Sequence, residues 1–276
     1  MTLSNRSQGS SVKRRGFLAG IAASALAGCA TGGEIGNVRL GVIALHGKRA
    51  SPQARASDGM RSAFWGVAAL EVPDMPWSIT RHLATSVQGA HDEIAAIATR
   101  LRARGIERLV VAGHSLGGNM ALSYAVERGG VDAVVMLAPG HLPGGGSNGD
   151  DPISVSVAEA RRRVAEGRGT ELGTFADNQL GRWIQIHVRA DDYLTWWDPM
   201  GAANMLATAP RLSPTVPVLM AIGTEDRTWL QQLRSTVFPL LPPNPKNRLV
   251  VVRADHDDVP AAARGQVRDW MREVMA

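Results

Sequence analysis

A serine with a glycine two positions to either side, Gly113-His114-Ser115-Leu116-Gly117, and a further Gly118, is the residue set in this chain best suited to covalent chemistry. An apolar, β-branched run, Leu109-Val110-Val111-Ala112, precedes it and a helical stretch over 119–128 follows. The order is strand, sharp turn, helix. A serine on such a turn holds strained backbone geometry with its hydroxyl exposed, and the glycines let neighbouring backbone approach. The helix that follows aims free N–H groups, and the positive end of its dipole, at any oxyanion forming beside Ser115. A bare Gly-x-Ser-x-Gly match says little, because these residues are common. Its place between a strand and a helix gives it weight, and the chemistry it predicts is nucleophilic attack by a hydroxyl.

Holding that hydroxyl in place requires a sheet. Short β-branched runs alternate with longer helical patterns, which predicts a mostly parallel sheet covered by helices on both faces. Strands are expected at 38–45, 67–72, 133–137, 216–222 and 249–252, and helices at 88–104, 119–128, 229–240 and 260–275. In the first helix Ile94, Ile97, Ala98 and Leu101 fall at helical spacing, with charges on the other face. His46-Gly47, Pro73-Asp74-Met75-Pro76, Gly223-Thr224-Glu225-Asp226 and Ala254-Asp255-His256-Asp257 each follow a strand. Such sheets carry their sites at that carboxyl edge.

Taken in order, these landmarks resemble those of the α/β-hydrolase-fold serine hydrolases, from about Val38 to the C-terminus. The resemblance implies an α/β fold with a small cap insertion, and the chain order nucleophile, acid, histidine. It implies Ser115 as nucleophile, Asp226 as acid and His256 as general base, with Glu225 as the alternative acid. Asp255 and Asp257 are read as caps or solvent-exposed groups. Among the other histidines, His46 belongs to an oxyanion loop, His114 to the turn itself and His141 to the cap entrance, while His82, His91 and His187 lack a strand-end setting. The backbone N–H groups of Lys48 and Leu116 are the expected oxyanion donors; losing one such donor costs about 3 kcal/mol of transition-state stabilisation. Lys48 departs from the small or apolar residue common at its position, and its side chain is expected to point to water. The alternative is attraction of a substrate carboxylate or phosphate. Serine at the turn argues against the haloalkane dehalogenase and epoxide hydrolase branches, which need aspartate there.

Between about 140 and 214 the periodicity loosens, which is where the family inserts its cap. The run from Leu142 to Asp151 is turn-rich, and without a Gly-Lys-Ser/Thr ending it is no phosphate loop. A helix over 155–168 carries Arg161-Arg162-Arg163, read as a solvated face. Phe175, Trp183, Tyr193, Trp196 and Trp197 then crowd together in a chain only 5% aromatic. Phe175, Trp183, Trp196 and Trp197 are the expected substrate-pocket walls, with packing of the cap as the alternative for any single ring.

The first 28 residues read as an address. Lys13-Arg14-Arg15-Gly16-Phe17-Leu18 resembles a twin-arginine export signal, and the apolar stretch after it is far shorter than the roughly 20 residues that span a bilayer. Leu26-Ala27-Gly28-Cys29 resembles a bacterial lipoprotein box, which implies a lipidated Cys29, a linker over 29–37 and a hydrolase domain over 38–276. The expected location is the cell envelope, lipid-anchored after export, on the periplasmic or outer-membrane face. Cys29 is the sole cysteine, so no disulfide is available. Of the 30 basic residues, four (Arg6, Lys13, Arg14, Arg15) lie in 1–29, which holds no acidic residue. The remainder carries 26 basic against 25 acidic, a formal net of +1. That balance gives no support for nucleic-acid binding.

No metal or cofactor is expected: the members of His91-Asp92-Glu93 face different ways on a helix, and no dinucleotide fingerprint is present. The leading functional expectation is hydrolysis of a small-molecule or lipid carboxylic ester through an acyl-enzyme. The alternatives are a lipase or polyester depolymerase, and a non-catalytic envelope scaffold of the same fold; carbon–carbon bond hydrolases and perhydrolases share the same residues.

Overall fold

The computed structural model describes Met1 and residues 34–35, 38–143 and 151–275. The arginine pair, Cys29 and most of the 142–151 run lie outside the described residues. Contacts divide the chain into Met1–Ala30 and Thr31–Ala276, and the second unit is the one with described structure. It begins with β1 (Glu34–Ile35), β2 (Val38–Leu45), α1 (Arg55–Phe64), β3 (Ala69–Glu71) and α2 (Val87–Ala103). Then come β4 (Arg108–His114), α3 (Leu116–Glu127), β5 (Ala133–Leu137) and α4 (Pro152–Ala165). A hairpin, β6 (Leu172–Gln179) and β7 (Arg182–Arg189), leads to α5 (Ala190–Trp197) and α6 (Met205–Thr208). The chain closes with β8 (Val218–Gly223), α7 (Thr228–Gln231), α8 (Leu233–Thr236), β9 (Arg248–Val252), α9 (Val259–Ala262) and α10 (Arg264–Met275).

The main sheet runs β2-β4-β5-β8-β9 with β3 parallel on the free edge of β2, and short β1 antiparallel beside it. Helices cover both faces, so the central strands bury both sides and read as continuous apolar runs. Period-two alternation then sorts their side chains. Leu40, Val42 and Ala44 of β2, with Val110 and Ala112 of β4, face a core built with Phe64, Val267 and Trp270. Ile43, Leu45, Leu109 and Val111 face the opposite core, built with Ile94, Leu101 and Met120. No helix among the described residues is long and apolar enough to cross a membrane.

Several elements differ from expectation. The 229–240 helix is broken into α7, α8 and a 3-10 turn at Phe238–Leu240, where Thr236, Val237 and Pro239 weaken α-helical continuity. The 260–275 helix breaks at Ala263 into α9 and α10. Helix α1 escaped the periodicity reading because a glycine sits in its middle. Gly59 is needed there, since a Cβ would lie 2.9 Å from Ala261 N on the crossing helix. The β6–β7 hairpin also went unread. Its two turn residues, Leu180 (φ 52°) and Gly181 (φ 90°), both adopt left-handed backbone, as a type I′ turn requires, and leucine is a costly occupant of that region. Asn178 supports the turn from outside, its Oδ1 accepting the Gly181 N–H at 2.7 Å.

Candidate active site

Ser115 occupies the junction of β4 and α3 with φ 54° and ψ −123°, a region that an ordinary residue avoids. The surroundings enforce it. A Cβ on Gly117 would lie 2.1 Å from Leu45 O, and one on Gly113 would lie 2.2 Å from the Gly117 backbone. The Ser115 N–H donates to Leu137 O at 3.0 Å, and Ser115 O accepts from Gly118 N, Asn119 N and Gly140 N. Buried Asn119 ties the turn to the chain that leaves β5, its Nδ2 donating to His141 O at 3.1 Å and Ala203 O at 2.7 Å. Helix α3 begins at Leu116, three residues before the expected 119, so its N-terminus abuts the serine directly.

Strands β8 and β9 end side by side and bring Asp226 and His256 together. A Cβ on Gly223 would lie 2.3 Å from Ala254 O, so only glycine allows the two exits to approach this closely. His256 Nδ1 donates to Asp226 Oδ2 at 2.7 Å, and both side chains are buried. Asp226 Oδ1 accepts the Arg227 N–H at 2.7 Å. Since a carboxylate only accepts, the imidazole proton sits on Nδ1 and Nε2 is left as a lone pair. That Nε2 is buried and has no partner among the described residues. Glu225, the alternative acid, turns outward and pairs with Arg253 at 2.7 Å. Asp255 accepts from Asp258 N, and Asp257 lies 3.8 Å from the ring of His114.

His114 braces the imidazole from below. Its Nε2 donates to His256 O at 2.9 Å, and the two rings lie 4.8 Å apart. Burial, reinforced by the neighbouring His256, pushes its pKa down to about 3, so it stays neutral. The loop after β2 is held as firmly. Met75 N–H donates to His46 Nε2 at 3.0 Å, which leaves the proton on Nδ1, facing Gly47 O at 2.9 Å. Burial lowers the pKa of His46 and keeps it neutral. Trp77 Nε1 donates to His46 O at 2.7 Å, and Arg49 N to Trp77 O at 2.8 Å. The N–H groups of Lys48 and Leu116 have no acceptor among the described residues.

Beside Ser115 opens a cavity of about 410 Å³. Trp183 and Trp197 line it as expected. Phe175 and Trp196 do not, and the alternation of a strand and the faces of a helix explain why. Phe175 lies on the buried face of β6 and stacks on Tyr193, with ring centroids 4.6 Å apart. Trp196 turns toward the main domain, packs edge-on to Trp77 and donates from Nε1 to Thr85 O at 2.8 Å. Lys48 also departs from expectation: instead of reaching water it makes a 2.6 Å ion pair with Asp177 of the cap, both side chains less than a tenth exposed. His141, expected at the cap entrance, also lines the cavity, as do Trp229, Leu230 and Gln179, for which the sequence gives no expectation. Of the last three only Trp229 carries a signal, an aromatic residue three positions past the candidate acid.

The chain matches the model of the alpha/beta hydrolase family over residues 41–270. A comparison with curated protein sequences finds no match. Among solved structures it resembles Est1E from Butyrivibrio proteoclasticus with ferulic acid bound, at 18% identity and a TM-score of 0.58, covering 86% of this chain and 89% of that one. It also resembles a Paleococcus ferrophilus monoacylglycerol lipase, at 20% identity and a TM-score of 0.58, covering 84% and 94%. With a family match across most of its length and a parallel sheet whose carboxyl edge gathers a strained serine, a histidine and an aspartate, this chain belongs to the alpha/beta hydrolase family.

Proposed function

We propose that this hydrolase cleaves carboxylic esters through an acyl-enzyme formed on Ser115. The observation that carries the reading is the 2.7 Å bond from His256 Nδ1 to Asp226, which leaves a buried Nε2, unpartnered among the described residues, as the base for the Ser115 hydroxyl. In the proposed sequence Ser115 Oγ attacks the ester carbonyl while His256 Nε2 takes its proton. Asp226 holds the ring and stabilises the imidazolium. The carbonyl oxygen, now an anion, accepts from the N–H groups of Lys48 and Leu116. His256 then protonates the leaving alcohol, and water repeats the cycle in reverse to free the acid. No hydrogen bond joins Ser115 to His256 in the free enzyme; such contacts commonly tighten only with substrate bound. The test is labelling by a fluorophosphonate together with hydrolysis of p-nitrophenyl esters. Both should vanish in Ser115→Ala with the fold intact, and a variant keeping more than about a tenth of the turnover would overturn the assignment.

A second reading, a lipase or polyester depolymerase, draws support from two indoles at the cavity, Trp183 and Trp229, that are 52% and 37% exposed. Amphipathic rings at a site mouth suit a water-insoluble ester. A p-nitrophenyl series from acetate to laurate separates the readings: a short-chain optimum favours the esterase, a rising profile the lipase. The envelope anchor through Cys29 belongs to the same proposal, supported by an arginine pair and a lipobox at the right separation.

A further inference from the structure

A buried ion pair joins the cap to the loop that would hold the oxyanion. Lys48 Nζ donates to Asp177 Oδ1 at 2.6 Å and to Asn178 O at 2.7 Å, and lies 5.0 Å from the centre of the Trp197 ring. Asp177 Oδ1 also accepts the Asn178 N–H at 2.8 Å. From the same hairpin Gln179 Nε2 reaches Lys48 O at 3.4 Å. The cap therefore grips Lys48 at its ammonium and at its backbone. At the far side of the hairpin turn, Arg227 Nε donates to Leu180 O at 3.1 Å, and Arg227 directly follows Asp226. Residues 177–180 thus span the gap between the loop after β2 and the loop after β8.

Apolar residues of similar volume would commonly serve stability as well as a buried charge pair or better. What the pair adds is direction. Charge-assisted hydrogen bonds at these distances are among the strongest in proteins and hold the ammonium against the hairpin. The Lys48 carbonyl accepts from Gln179 of the hairpin while the adjoining Arg49 N–H is anchored on Trp77 O of the main domain, so the loop that carries the Lys48 N–H is clamped between cap and main domain.

We infer that Asp177 is a positioning residue, which through the Lys48 side chain aims the Lys48 N–H at the developing oxyanion and so couples the cap to catalysis. The inference rests on the serine-hydrolase reading above. Asp177 touches neither substrate nor serine in this account; it acts through Lys48.

The experiment compares wild type, Asp177→Asn and the apolar double variant Lys48→Met/Asp177→Leu, all as full chains. The double variant leaves no unpaired charge in the cap, so it keeps the test valid if the single variant does not fold. Measured are kcat and KM for p-nitrophenyl butyrate, the inhibition constant of an alkyl trifluoromethyl ketone, whose adduct places an oxyanion in the hole, and the thermal midpoint. An N–H misplaced by about 1 Å should lower kcat about 10- to 100-fold in both variants. Ketone affinity should weaken by the same factor, with KM within about threefold, since only the transition state senses the donor. A purely structural pair would lower the thermal midpoint or raise KM while sparing kcat and ketone affinity, and that result overturns the inference. Wild type that fails to label with a fluorophosphonate removes this inference and the function together. A labelled wild type with unaltered variants removes this inference alone.

Discussion

Asp226→Asn should disable the enzyme for a reason visible in the hydrogen bonds around that carboxylate. One oxygen accepts the His256 Nδ1 proton at 2.7 Å and the other accepts the Arg227 N–H at 2.7 Å. A carboxamide in the same place has one oxygen and one NH₂. The main-chain N–H of Arg227 has no other tautomer and keeps its claim on the oxygen, so the NH₂ must face His256. A donor there is compatible only with a bare Nδ1, which moves the imidazole proton to Nε2. The base then presents N–H where it needs a lone pair. Wrong-tautomer enzymes of this design lose about 10⁴ in kcat, equivalent to about 5 kcal/mol of transition-state stabilisation. Flipping the amide offers no escape, because it sets two N–H donors against each other. The assay is kcat/KM for p-nitrophenyl acetate, with circular dichroism to confirm the fold and Glu225→Gln as control. Since Glu225 faces Arg253 and solvent, its variant should stay within about threefold of wild type, as expected for an exposed ion pair. Loss of less than tenfold in Asp226→Asn, or a larger loss in Glu225→Gln, would refute the argument.

Other expectations follow from the same geometry. Gly117→Ala sets a Cβ 2.1 Å from a main-chain oxygen that cannot yield, so urea unfolding should show a loss of about 3 kcal/mol or more. Gly129→Ala, left-handed at φ 64° but in open space, should lose only about 1 kcal/mol. For location, Cys29→Ser should abolish incorporation of labelled palmitate, whereas Arg14→Lys with Arg15→Lys should hold the precursor in the cytoplasm; wild-type protein with an unmodified Cys29 after export would overturn the anchor.

The sheet and the placement of the three candidate side chains are legible because each has a local cause. Strands β2 and β5 match their expected ranges of 38–45 and 133–137, since burial on both faces demands an unbroken apolar run. Ser115, Asp226 and His256 sit at strand exits, and strand exits can be read from the chain. The cap was not legible, for the opposite reason. Its hairpin turns through Leu180, a residue that local preference would not choose, and its stability comes from distant partners such as Lys48 and Arg227. Sequence alone sends the side chain of Lys48 to water, where a lone lysine usually goes; the carboxylate that holds it lies 129 residues away. Aromatic density points Phe175 and Trp196 to the pocket, but that signal does not tell which face of a strand or helix a ring occupies.

One regularity links the fold to the chemistry. Among the described residues, the buried side-chain polar atoms without a partner belong to His114, Asn119, His141, Gln179, Trp197 and His256. Folded proteins pair nearly all such atoms, because leaving one unpaired costs about 1–3 kcal/mol. Here His114 and Asn119 lie on the serine turn and the helix that leaves it, His256 faces that turn, and His141, Gln179 and Trp197 line the cavity. Elsewhere the protein satisfies its polar groups closely, as with His91 against Ser123 at 3.0 Å and Trp270 against Lys246 O at 2.6 Å. Random defects would be scattered through both cores. Their confinement to the region of the sheet's carboxyl edge puts them around the place where the proposed reaction would occur. In the proposed reaction His256 Nε2 must stay open to the Ser115 hydroxyl, a requirement that a non-catalytic scaffold of the same fold would not share.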